Sequence, residues 1–275
     1  MNNKTSEIRI PLVGRAFDSS LKSPKFQKKS KKAFTVAEVL ITLAVIGVVA
    51  SLVVPMIKLK YQEMTTVAKL RRVYSLMNSS FNQVVLKYGT PNRWNLVESY
   101  YDEEEEITKS PGAEKFLSLL AEGLNAKNIS NEPPFDSNYM NDDGKQVNVD
   151  GRKMQPFLQL QDGTIFFHGW VQNTKCTHNV NKTGLNNPIF KTMCGDFRID
   201  LNGINLPNVI GIDQFEFRIG QRGIVPTGMY SDFRSPEYYC IPNKTVEYNG
   251  YGCTAWAIEK GTMPWLYGKQ VSWEK

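Results

Sequence analysis

Glu38 is the first residue in this chain whose type and setting could do chemistry. It stands near the head of KKAFTVAEVLITLAVIGVVASLVVP, residues 31–55, a stretch otherwise suited to lipid. A charge at the centre of a bilayer costs about 2.5–3.5 kcal/mol, and less near its edge. Glu38 is therefore a tolerated interfacial acid or a group kept for a partner. A second set is Asp200, Asn202 and Asp213 in DLNGINLPNVIGID, residues 200–213. Their side chains are oxygen donors, and Gly203 and Gly211 allow tight turns. Asp-x-Asn-Gly opens like an EF-hand loop but lacks the further acids and the Glu at the twelfth place. The stretch reads as a turn held by Asx hydrogen bonds or as a calcium site.

Four cysteines, Cys176, Cys194, Cys240 and Cys253, form no CxxC pair, and no His lies at a zinc spacing with them. Two disulfides are expected in an exported domain. Sequence proximity favours Cys176–Cys194 and Cys240–Cys253 among three connectivities, and buried free thiols are the alternative in a reducing compartment. His168 and His178 lie near Asp162 and Cys176 without the orienting partner that a Cys/His nucleophile needs. No P-loop, GxGxxG, HExxH or GxSxG occurs, so no enzyme is expected.

These residues need elements to position them. Val39–Ile57 is free of charge and, as a helix, covers roughly 28 Å, the thickness of a hydrocarbon core. Residues 1–33 hold nine Lys/Arg and two acids; the remainder holds 24 basic and 25 acidic residues. The basic flank is expected to stay cytoplasmic, with the C-terminal bulk across the membrane. Because the chain's net charge of +6 belongs to this flank, nucleic acid is not an expected partner. The one local basic patch is Lys58, Lys60, Lys69, Arg71 and Arg72. The segment itself reads as a cleaved secretory signal ending at Val48-Val49-Ala50, as a plain anchor, or as an anchor whose Glu38 serves a partner.

Beyond Pro55, Met64, Val67, Leu70, Tyr74, Met77, Phe81, Val84 and Tyr88 recur at steps of three and four, the stripe of an amphipathic helix stopped by Gly89 and Pro91. YDEEEEITKSPG, 101–112, reads as a solvated acidic loop, 113–124 as a short amphipathic helix, and 131–145 as a loop. PFLQLQDGTIFFHGW, 156–170, is a hairpin around Asp162-Gly163. Residues 197–203 and 213–220 alternate as strands, and 251–261 reads as a terminal strand or short helix. Helix first and antiparallel sheet after is an α+β arrangement. Trp256, Trp265, Tyr267 and Trp273 read as core or interface, with an adhesive patch as the alternative.

The segment Lys31 to Lys87 resembles the N-terminus of type IV prepilins and type II secretion pseudopilins. In that family a basic leader ends in a small residue, normally Gly. A Phe then opens the mature chain, a Glu follows four residues on, and a long apolar helix carries a Gly and a Pro at fixed offsets. Here these are Ala33, Phe34, Glu38, Gly47 and Pro55. The chain departs from the pattern in Ala33 and in a leader of 33 residues, long for the family. The resemblance implies a leader (1–33), a long helix (34–88, membrane-spanning over about 36–57) packed on an antiparallel sheet, and an extracytoplasmic α+β domain (89–275). It implies cleavage between Ala33 and Phe34 by a prepilin peptidase, and N-methylation of Phe34. Glu38 would direct assembly by pairing with a Phe34 amine; Gly47 would loosen the helix and Pro55 kink it. The implied partners are other pilin or pseudopilin subunits, an inner-membrane assembly platform and, before assembly, membrane lipid. Major pseudopilins also carry a calcium site in a C-terminal loop. The competing expectation is a single-span membrane-anchored binding domain that never polymerises.

Overall fold

The computed structural model describes residues 34–104, 107–137, 140, 153–167, 169–242, 244 and 247–274. The leader, Ala33 and His168 therefore lie outside the described residues. The chain divides into two units, one up to Ser51 and one from Leu52 onward. A single helix, α1 (Val36–Tyr88), begins in the first and ends in the second.

The first unit contributes the apolar opening of α1. Phe34 and the described residues after it are exposed throughout, and nothing lies within 4 Å of the position a Cβ would take on Gly47. α1 is long and apolar enough to cross a membrane. The helix continues through Pro55.

In the second unit α1 changes character. Val67, Leu70, Val73, Met77, Ser80, Phe81 and Val84 are buried at steps of three and four, one face of a 3.6-residue period. The ends of the expected stripe differ: Met64 is 61% exposed and Tyr88 41%, because no described element covers the helix there. α1 stops at Gly89, whose φ of 78° is the left-handed conformation that glycine adopts without penalty.

After α1 come β1 (Tyr100–Asp102) and β2 (Ile107–Lys109), a small hairpin in the acidic stretch. Next is α2 (Pro111–Leu124), opened by Pro111 at its first turn and buried along Ala113, Phe116, Leu117, Leu120 and Leu124. α2 meets α1 closely at Gly123: a Cβ there would stand 2.6 Å from Ser80 Oγ, which donates to the Leu120 carbonyl.

The strands that follow are β3 (Lys127–Asn128), β4 (Phe135–Asp136), β5 (Lys153–Met154), β6 (Pro156–Gln159), β7 (Ile165–Phe167), β8 (Trp170–Val171), β9 (Met193–Asp200), β10 (Gln214–Gly220) and β11 (Gly223–Pro226). The main sheet runs β11-β10-β9-β7-β6-β3, with β8 also pairing β9; its pairings are antiparallel. β6 and β7 form the expected hairpin. β9 begins four residues earlier than the sequence suggests and ends at Asp200, leaving 201–203 in a turn. The chain closes with α3 (Pro236–Tyr239) and α4 (Cys253–Lys260), so the 251–261 stretch is helix. Both expected disulfides, Cys176–Cys194 and Cys240–Cys253, are formed. The result is an α+β fold with the second half of α1 on an antiparallel sheet.

The two faces of β9 and β10 differ. Phe197, Ile199, Phe215, Phe217 and Ile219 belong to the apolar core with α1 and α2. Phe197 stacks on Phe217 at 5.8 Å, and Phe217 on Tyr74 at 5.7 Å. The alternate residues Asp196, Arg198, Glu216 and Arg218 face away from that core; Glu216 and Arg218 are buried as well, and Asp196 and Arg198 are half-buried. Arg218 donates two hydrogen bonds to Asp232, at 2.8 and 2.7 Å, with both residues buried. Arg234 bridges Glu216 and Asp196. Burial pushes the Glu216 carboxyl up to about 7 against the pull of Arg234. Each carboxylate of this layer has a guanidinium, which offsets the cost of burying its charge.

Candidate functional site

The head of α1 is built from three residues. Thr35 precedes the helix, and Glu38 is the acid of its first turn. The Glu38 N–H donates to Thr35 Oγ1 at 3.2 Å. In return the Thr35 N–H donates to Glu38 Oε2 at 2.8 Å, and the Thr35 hydroxyl does so at 3.0 Å. This reciprocal pair is a capping box, which satisfies helix N–H groups that have no partner of their own. Glu38 thus acts locally, closing the end of its own helix. Its second oxygen, Oε1, accepts no hydrogen bond among the described residues. Phe34 stands one residue ahead of the box and is 84% exposed. Thr-Val-Ala-Glu carries the capping-box spacing, a signal passed over when Glu38 is read as a lone acid.

The same helix carries a second acid, Glu63, in the opposite situation. It is 3% exposed. Oε1 accepts from the Met263 N–H at 2.7 Å; Oε2 accepts from the Tyr267 hydroxyl at 3.1 Å and from Lys60 Nζ at 2.6 Å. Burial pulls the Glu63 carboxyl upward, but these bonds outweigh it and hold it below the ordinary Glu value.

The 200–213 loop joins β9 to β10. Asp200 and Asp213 are both buried. Asp200 accepts from the Asn202 N–H and from Gln214 Nε2, each at 3.0 Å. Asp213 accepts from the Asn208 N–H at 2.9 Å and the Val209 N–H at 2.6 Å. Burial, then the charge of Asp213, pushes the Asp200 carboxyl up to about 8, and burial raises Asp213 as well. The side-chain oxygens of Asn202 and Asn208 are buried without a hydrogen-bond partner among the described residues. The donor set is thus oxygen only, with two acids and two unpartnered amide oxygens, which suits a hard cation such as calcium rather than zinc. No described group of three or more His, Cys, Asp or Glu could hold a metal, so the amides are essential to any such site. Asn208 has a φ of 52°, and its backbone N–H is bonded to Asp213 in a turn no sequence pattern announces.

The remaining candidates are used elsewhere. Cys176 is bridged, and the His178 N–H donates to the Met193 carbonyl; burial and the nearby arginines lower the His178 imidazole. The basic patch is largely consumed: Lys69 and Arg72 bind Asp162, Arg71 binds the Ile258 and Glu259 carbonyls, and Lys60 binds Glu63. Trp265 and Trp273 donate their indole N–H groups to the carbonyls of Gly211 and Gly228 and serve packing. No family model, curated protein or solved structure matches the chain.

Proposed function

We propose that this chain is a prepilin-like structural subunit without enzymatic activity, cleaved between Ala33 and Phe34, N-methylated at Phe34 and assembled into a pilus or pseudopilus. One observation carries the reading. A single helix begins two residues after Phe34, places Glu38 in its first turn, runs through an exposed apolar stretch and ends as a core element of the folded second unit. That is the division of labour a polymerising subunit needs: an apolar half for lipid and later for neighbours, and a packed half that carries the domain. The two disulfides support an extracytoplasmic second unit, and the basic leader supports an N-terminus left inside.

In this mechanism cleavage leaves a positive amine on Phe34 at the bilayer edge. Glu38 keeps Oε2 on Thr35 and offers Oε1 to the amine of an incoming subunit. In a medium of low dielectric each charge is costly alone, so the pair sets register. In the 200–213 loop Asp200, Asp213 and the side chains of Asn202 and Asn208 would hold a structural calcium ion, which would supply positive charge to the two acids and no further chemistry.

Intact mass and N-terminal sequencing of the mature chain test the reading. The expected N-terminus is N-methylated Phe34. A chain beginning at Met1 or Ser51 refutes processing and leaves a membrane-anchored binding domain or a cleaved secretory signal. Glu38→Gln separates capping from pairing at that residue, because glutamine keeps the capping box and loses the charge. Incorporation falling as far as in Glu38→Ala supports pairing; incorporation at the parental level makes Glu38 a cap only.

A further inference from the structure

The turn 263–268 is fastened to α1 at a defined height. Glu63 receives the Met263 N–H and the Tyr267 hydroxyl, so this turn sits level with residue 63 of the helix. Glu63 lies six residues beyond Ile57, the end of the apolar run, or about 9 Å along the axis. The polar layer on each side of a bilayer is about 5–7 Å deep. Lys58, Lys60 and Tyr61 therefore fall inside that layer, and the turn, to which the Lys269 N–H is bonded through the Pro264 carbonyl, stands about 2–4 Å beyond it, a distance a long lysine side chain can span.

The exposed chemistry at this height is distinctive. Tyr61 is 69% exposed and Tyr267 39%. Lys58 and Lys269 are exposed and have no acidic partner among the described residues. Lys60 shares Glu63 Oε2 with Tyr267 yet keeps 60% of its side chain in solvent. Two ammonium groups without an acid and two amphipathic aromatic rings in and just beyond this layer match an interfacial belt, in which tyrosine seats among headgroups and lysine binds their phosphates. These residues need not share a helix face, since a helix crossing the layer presents every side to it.

We propose that Lys58 and Lys269, with Tyr61 and Tyr267, form a binding surface for anionic phospholipid headgroups that seats the second unit on the membrane before assembly. The proposal rests on α1 spanning the membrane. The occupant is set by charge and by continuity with the apolar run: the groups follow the hydrocarbon-length segment immediately and carry the sign opposite to lipid phosphate.

The test uses the full chain in nanodiscs. The described cysteines are all bridged, so Gln270→Cys supplies one thiol for a spin label beside Lys269. Collision with a nickel chelate anchored at the headgroups is compared in phosphatidylcholine alone and with about one-third phosphatidylglycerol. The expected result is a rise on the order of twofold with the anionic lipid. It should be lost in Lys58→Gln/Lys269→Gln, which leaves the Lys60–Glu63 pair intact, and at about 1 M salt, where screening acts within about 3 Å. A chain that inserts but collides equally in both lipids, or whose rise survives both charge removal and salt, overturns the proposal alone. A chain that does not insert overturns the span, and the proposal with it.

Discussion

Glu38 and Glu63 stand on one helix, 25 residues apart, and each is an acid in an apolar neighbourhood. Glu63 is closed: both oxygens are taken by groups from elsewhere in the second unit, and solvent is nearly excluded. Glu38 is open: it touches only Thr35 in its own turn and keeps one oxygen unused among the described residues. A buried acid with every lone pair answered holds a fold together. An acid capped locally and otherwise unanswered among the described residues is free to meet a group from outside the fold. The pair Asp200 and Asp213 is a third case, two acids buried side by side and bonded to neutral donors.

The widest break in this comparison lies in the ionic layer, the extreme of the closed kind. Asp232→Ala strands Arg218 without its carboxylate, and a loss of about 3–5 kcal/mol is expected in chemical denaturation of the disulfide-intact chain. A loss below about 1 kcal/mol would show that water reaches the guanidinium.

Glu63→Ala comes next, at about 3 kcal/mol, since it leaves the Met263 N–H and the Tyr267 hydroxyl without their acceptor. Glu63→Gln should cost less. The folded carboxyl titrates below its ordinary value. Its stabilisation is thus fully present above the unfolded value of 4.5 and is lost as pH falls through the folded one. That acid limb should disappear from the stability profile of Glu63→Gln.

For the 200–213 loop the sign reverses. Asp200 titrates at about 8 in the folded chain, above its unfolded value. Without calcium, stability should therefore decline as pH rises towards about 8. Free calcium at about a hundredfold over its dissociation constant should restore about 2.7 kcal/mol, read as a rise in the unfolding midpoint that chelator reverses. Asp200→Asn should flatten the pH decline and remove the calcium response. A midpoint indifferent to calcium near that pH rules the site out.

The smallest expected change in stability is at Glu38. Glu38→Gln should shift unfolding of the second unit by less than about 0.5 kcal/mol, as an exposed residue remote from packing does. On the proposed assembly role, incorporation into a filament should nevertheless collapse. A large loss of stability in that variant would erase the distinction between open and closed acids.

What could be read from the sequence was local. The apolar run, the stripe through Val67 and Val84, the Asp162-Gly163 hairpin and both cysteine pairs each depend on neighbours within about twenty residues. What could not be read depends on chain brought from afar. DQFEFRIG alternates as a strand with one wet face, yet Thr227, Asp232, Arg234 and Thr254 close over Glu216 and Arg218 and turn that face into ionic core. Met64 continues the periodic stripe but meets nothing, so periodicity overran the packing. Glu63 looks like an ordinary helix-surface acid until residues 263–267 arrive. Thr35 is the exception: its capping signal is local, but the apolar run beside it makes Glu38 alone conspicuous.

The bond between Glu63 and Met263 spans 200 residues. As the chain is made from its N-terminus, the helix half carrying Glu63 appears early, and its partners appear after nearly all of the intervening chain. Closure of the second unit around Glu63 therefore waits for residues 263–267. A chain truncated before residue 263 would hold an acid ready to be buried and nothing to receive it, and should be cut faster by protease than the full chain.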